Sequence, residues 1–442
     1  MMRMRHANAY GGSLCALFLL QLAASDALAA DAATAKFLGV ATCSSTVCHG
    51  SVVSRDATHI LQNEYRIWMD RDAHARAYSV LANERSRRIA RTLGLGSPAD
   101  ARECLACHSI DAPAARRGEK FTLSDGVSCE ACHGAAEHWI DTHEDADASH
   151  EANLARGMYP TSDPVERAAL CLGCHQGSAK RFVSHAMMAA GHPRLTFELD
   201  TFTALQPAHF RVDADYRERK PAPASAATWA AGQVVAVAEY ARLLASRDLV
   251  RAGTWPEFAL FDCFSCHHDL GTQPPPLDTK TRGPAGLPRL GSASIPIYRA
   301  LLAALAPAEQ SRLDGAMAAV VEAAGRNRAR LVSAAAKLGE VAASDARTVA
   351  GAAWTAAQLE SLLARLVAPE AARYYRTYSD AEQATMGAQA IVATLVERND
   401  LSGARKDRIV VALDGLFEAT ASEETFRPAS FERALTRVRA AL

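Results

Sequence analysis

Ten of the eleven cysteines in this 442-residue chain fall into five close pairs, and histidine follows every pair at once. The pairs are Cys43-Ser44-Ser45-Thr46-Val47-Cys48-His49, Cys104-Leu105-Ala106-Cys107-His108, Cys129-Glu130-Ala131-Cys132-His133, Cys171-Leu172-Gly173-Cys174-His175 and Cys263-Phe264-Ser265-Cys266-His267. Histidine is 15 of 442 residues, so five chance placements have a probability on the order of one in ten million or less. No other feature constrains the fold as strongly.

Two thiols separated by two residues reach the two vinyl groups of one porphyrin and form thioethers, and the adjacent imidazole becomes the proximal iron ligand. Three other chemistries fit less well. Disulfides give no reason for a histidine after every second cysteine. Zinc ribbons use two cysteine pairs per metal and would strand the fifth. A thioredoxin-type motif occurs once, within an α/β pattern absent here. The expected cofactor is therefore haem c, five copies, attached covalently through Cys43, Cys48, Cys104, Cys107, Cys129, Cys132, Cys171, Cys174, Cys263 and Cys266. His49, His108, His133, His175 and His267 are the proximal ligands. The first motif, with four residues between its cysteines, is an expanded variant of the others.

Local sequence fits these motifs. Ser97-Pro98-Ala99-Asp100 and Asp163-Pro164-Val165-Glu166 each read as an N-cap, a proline at the first helical position and an acid in the first turn. Each leads into Cys-Leu-x-Cys-His, a weak internal repeat. Glycine after His49 and His133 gives the backbone room to turn beside a porphyrin.

Nine histidines remain once His6 and the five proximal residues are set aside: His59, His74, His138, His143, His150, His185, His192, His209 and His268. Supply exceeds the demand for five second axial ligands, which favours bis-histidine, low-spin haems. His74 stands in an Ala-rich stretch. Gly191 and Pro193 place a helix end beside His192, and His209 lies in a loop. His138 and His143 compete beside the third motif, and His150 sits in an acidic run. Met187 and Met188 read as core residues before they read as axial sulfurs.

The segments Asp125-Gly126-Val127-Ser128-Cys129-Glu130-Ala131-Cys132-His133-Gly134, Ala190-Gly191-His192-Pro193-Arg194-Leu195 and Asp262-Cys263-Phe264-Ser265-Cys266-His267-His268-Asp269-Leu270 resemble the multihaem cytochrome c-554/c-prime family. The resemblance spans roughly residues 38–272. It implies a helical, exported, mostly bis-histidine-ligated protein that passes electrons between periplasmic partners. It also implies iron-ligand roles for His74, His143, His185, His192 and His209. Two departures stand out: the expanded first motif, and five motifs where the family's namesake carrier has four haems.

The chain opens with Arg3 and Arg5, an apolar run from Leu14 to Ala24, and Ala27-Leu28-Ala29, which read as an export signal over residues 1–29 that takes Cys15 with it. A periplasmic location follows, and no other candidate membrane span is visible. A haem domain is expected over 30–270, a Pro/Gly-rich linker over 271–296 and a helical region over 297–442. The fold class is mainly α: short helices and loops wrapped round a haem core, plus a C-terminal helical bundle. Helices are expected around Val237, Tyr240 and Leu244, through Leu359, Leu362, Leu363 and Leu366, and from a capping box at Ser379-Asp380-Ala381-Glu382.

A net charge of −1 implies no nucleic-acid partner. The expected partners are periplasmic or membrane-bound redox proteins. Closely spaced bis-histidine haems suit an electron carrier more than a catalyst. The alternative is a multihaem oxidoreductase with one open iron, acting on small nitrogen or sulfur species.

Overall fold

Alanine-rich segments with apolar residues three and four apart favour helix, and the computed structural model of this chain is mainly α, with no named strand among the described residues. These are residues 34–55, 60–145, 147–220, 222–251, 257–267, 288–324 and 326–442. The predicted export signal, Cys15, His59 and His268 lie outside them.

The chain forms two compact units, each discontinuous in sequence. One comprises residues 34–81, 107–161 and 209–219 among those described; the other comprises 82–106, 162–208 and 220–442. The chain passes from one to the other inside the second cysteine motif, between Ala106 and Cys107.

The first unit is built of short helices and turns. The Glu64–Arg71 helix, the 3₁₀ turn Ala73–Arg76 and the one-turn helix Cys129–His133 carry its site residues. Its buried apolar side chains, among them Val40, Leu81, Ile110 and Trp139, stand outside the large apolar cluster of the molecule. Part of its order comes from a buried carboxylate instead. Glu130, 2 % exposed, accepts hydrogen bonds from Leu38 N (2.8 Å), Gly39 N (2.8 Å) and Ala136 N (2.9 Å). It thereby ties the lead-in of the first motif to the third.

The second unit is organised on the Ser225–Ala245 helix, sixteen of whose 21 residues are buried. A helix buried on most of its surface must be central. It packs most extensively on Arg328–Ala350, and also on Pro164–His175, Leu199–Leu205, Ser294–Leu305 and Tyr378–Glu397. Small residues permit the close approaches: a Cβ on Gly387 would lie 2.4 Å from the Trp229 indole, and one on Gly232 would lie 2.7 Å from Leu199 Cβ. Two core glutamines are bonded in series, with Gln233 Nε2 donating to Gln383 Oε1 (2.7 Å) and Gln383 Nε2 to Phe197 O (3.0 Å).

The expected helices around Tyr240 and Leu362 are present, and Leu359, Leu362, Leu363 and Leu366 are all buried. Two start signals differ. The helix expected at Ser379 begins at Tyr378 with Thr377 as its cap, because the Thr377 side chain already accepts from Asp380 N. The capping box occurs instead at Thr355 and Gln358. Ser97-Pro98-Ala99-Asp100 closes a backbone turn, with Asp100 N and Ala101 N both donating to Ser97 O, and the helix starts only at Arg102.

Candidate haem-binding site

The five motifs are held by different local structures. In the fourth, Asp163 caps the Pro164–His175 helix by accepting from Val165 N (2.8 Å) and Glu166 N (3.3 Å), with Pro164 at the first position, as the sequence predicts. That helix carries Cys171, Cys174 and His175 in its last two turns. The second motif occupies the Arg102–His108 helix and the third the Cys129–His133 helix. In the fifth, Asp262 accepts from Phe264 N (3.2 Å) to start the turn Cys263–Ser265. This turn is anchored to residues that the sequence places at the end of the linker: Asp262 N donates to Arg289 O (2.8 Å) and Gly291 N to Leu260 O (3.0 Å). Arg289 in turn holds the buried Asp380 with bonds of 2.7 and 2.8 Å.

The glycines that follow His49 and His133 are required by backbone contact. A Cβ on Gly50 would lie 1.9 Å from Ser44 O, and one on Gly134, whose φ is +83°, would lie 2.7 Å from Gly157 O.

None of the ten described cysteines forms a disulfide. Burial raises the thiol pKa of Cys104 and Cys263, and pushes Cys171 up to about 11. These three are not activated nucleophiles, whereas the Cys43 thiol pKa is lowered by its neighbour Cys129. The Cys43 thiol lies beside that of Cys129, so the first and third motifs approach one another.

The histidines show a repeated geometry. Within the first unit, the His49 and His143 ring planes lie 22° apart with centroids separated by 6.2 Å, and the His133 and His209 planes are nearly perpendicular at 6.3 Å. Within the second, the His185 and His267 planes lie 29° apart with centroids separated by 6.2 Å. A metal–imidazole bond is about 2 Å and the ring centre lies about 1 Å beyond the nitrogen, so two imidazoles flanking one metal have centroids about 6 Å apart. Each pair joins one motif histidine to one histidine outside the motifs. The donor sets therefore fit a haem iron.

The ring nitrogens are oriented to match. His49 Nδ1 donates to Glu64 Oε2 (3.0 Å) and His74 Nδ1 to Asp72 Oδ1 (2.9 Å). Three others donate to backbone carbonyls: His108 to Ala77 O (2.7 Å), His143 to Ile140 O (2.5 Å) and His192 to Pro193 O (2.8 Å). A carbonyl or carboxylate oxygen can only accept, so Nδ1 carries the proton and Nε2 keeps its lone pair for a metal. The turn at residues 73–77 orients two of these rings, His74 through Asp72 and His108 through the Ala77 carbonyl.

The glutamate and hydrogen bonding raise the His49 pKa, while Glu64 is lowered: burial alone would raise it, and the His49 contact with backbone donors outweighs this. His192 lies beyond the end of the His185–Ala189 helix, after Gly191 at φ +111°, so it does not share a helix face with His185. His175 closes its helix with its ring against Phe197 (5.1 Å) and Phe202 (5.7 Å). Met187 is buried, in keeping with a core role.

Three supporting carboxylates were not evident from the sequence. Glu64 is fifteen residues from His49 and leaves no local signal. Asp72 is two residues before His74, a spacing that could have suggested it. Glu257 accepts from His185 N (2.9 Å) across 72 residues.

Residues 42–134, which hold the first three motifs, match the family model described as cytochrome c554 and c-prime. No curated protein and no solved structure matches the chain. No helix among the described residues is long and apolar enough to cross a membrane. The match implies covalently bound haem c and a role in electron transfer. Over residues 42–134 the chain is similar to the cytochrome c554 and c-prime family of c-type cytochromes.

Proposed function

We propose that this protein is an exported, periplasmic electron-transfer cytochrome carrying five covalent haems, mostly bis-histidine ligated. The observation that carries this reading is the recurrence of a 6.2–6.3 Å imidazole pair at the first, third and fifth motifs. In it, His49 and His143 hold one iron, His133 and His209 a second, and His185 and His267 a third. His108 and His175 are the proximal ligands of the other two. His74 and His192, each with Nδ1 turned to an acceptor, supply the remaining distal ligands.

Two imidazoles per iron leave no coordination site for substrate, and they hold the potential below that of a His/Met site. Bound haem supplies reversible one-electron chemistry. The chain attaches it, orients its ligands and excludes water. The proximity of Cys43 to Cys129 supports close neighbouring haems on the first and third motifs, as a chain of electron carriers requires. The partners are redox proteins in the periplasm or its bounding membranes.

Mass spectrometry of the mature protein, combined with the ferric spin state, tests this reading. Five haem masses and a wholly low-spin spectrum are expected. Four masses would remove the first motif, and a high-spin component that binds cyanide would indicate an open iron.

A further inference from the structure

The loop before the Glu64–Arg71 helix is folded around the expanded first motif, and it presents one carboxylate to the motif histidine. Tyr65 N donates to His49 O (3.0 Å), Gln62 Nε2 to Val47 O (3.0 Å) and Ser51 N to Gln62 O (2.8 Å). Glu64 Oε1 accepts from Leu61 N (2.8 Å) and Gln62 N (3.1 Å), which leaves Oε2 aimed at His49 Nδ1 at 3.0 Å. Gln62 takes φ +58°, a left-handed conformation costly for a residue with a side chain, where its N–H meets Glu64. The Glu64 side chain is only 15 % exposed. If Glu64 served the backbone alone, Oε1 would be enough.

We infer that Glu64 is a positioning residue that lowers the reduction potential of the haem iron held between His49 and His143. The inference rests on the reading above that an iron sits there. A carboxylate accepting the Nδ1 proton makes the imidazole a stronger donor, which stabilises ferric over ferrous iron. The His185–His267 pair differs: among the described residues, neither ring nitrogen of the two has a hydrogen-bonded carboxylate. The iron at the expanded motif is therefore the more reducing of the two.

The test is a spectroscopic redox titration of the haem-loaded protein and its Glu64→Gln variant, with haem counted by mass in both. Glutamine keeps the shape and, through Oε1, the backbone contacts, but replaces the charged acceptor at His49 Nδ1 with an amide NH2. One of the five centres should shift upward, with its reduced-to-oxidised ratio at a fixed poise rising about tenfold, or about 59 mV for one electron. The other four should stay in place. Five haems with all potentials unchanged would overturn the inference and leave the electron-transfer reading intact. Unmodified Cys43 and Cys48 in the unsubstituted protein would overturn the reading at this motif and the inference with it. If Glu64→Gln does not accumulate, Glu64→Asp reads the same centre: it keeps the charge at longer reach, so a smaller upward shift is expected and no shift overturns the inference.

Discussion

At the scale of single residues, the side chains that arrange this site are mostly acids, and they act through backbone N–H groups and imidazole Nδ1 atoms. Asp163 shows how local such a role can be. It caps the helix that carries the fourth motif, and its other oxygen meets Arg347 at 2.6 Å. Arg347 is 57 % exposed, so the ion pair adds little, and the cap dominates. Asp163→Ala is expected to cost about 1 kcal/mol, read as a lowered denaturation midpoint at unchanged m-value. An unchanged midpoint would show that the cap does not limit stability. The sequence reveals this residue because cap, proline and acid are adjacent. Glu64 and Glu130 escape sequence reading because the partners that define their roles, His49 for one and Leu38 and Gly39 for the other, lie 15 and more than 90 residues away.

At the scale of elements, periodicity locates the long helices well and the short ones poorly. The Ala356–Leu366 helix buries the four leucines that its spacing marks. The stretch at Ser97 has the composition of a helix start but closes a turn, because the Ser97 carbonyl, rather than its side chain, takes the Asp100 and Ala101 N–H groups. Two helix glycines separate packing from propensity. Gly387 faces the fully buried Trp229, so Gly387→Ala overpacks the core and should destabilise by about 1–3 kcal/mol. A Cβ at Gly315 meets nothing within 4 Å, so Gly315→Ala should stabilise by up to about 1 kcal/mol. Thermal melts of both variants check the opposite signs, and equal shifts would refute the close contact at Trp229.

At the scale of the whole molecule, the apolar side chains are unevenly shared. The large buried cluster runs from Ala168 to Val438, entirely within the second unit. The first unit depends on turns, buried carboxylates and, in our reading, its porphyrins. A chain produced without haem attachment should therefore keep protected amides in the Ser225–Ala245 and Arg328–Ala350 helices while residues 34–81 and 107–161 exchange rapidly. Hydrogen exchange by mass spectrometry decides this, and equal protection in both regions would count against a haem core. The sequence by itself marked the candidate attachment points, because two cysteines and a histidine in fixed local order need no tertiary contact to define one. It also marked the amphipathic helices, whose period is a local property. Only the tertiary structure decided which imidazole faces which, which carboxylate stands behind His49, and how residues distant in sequence share a unit. Those depend on contacts between segments, and a linear pattern carries no record of them.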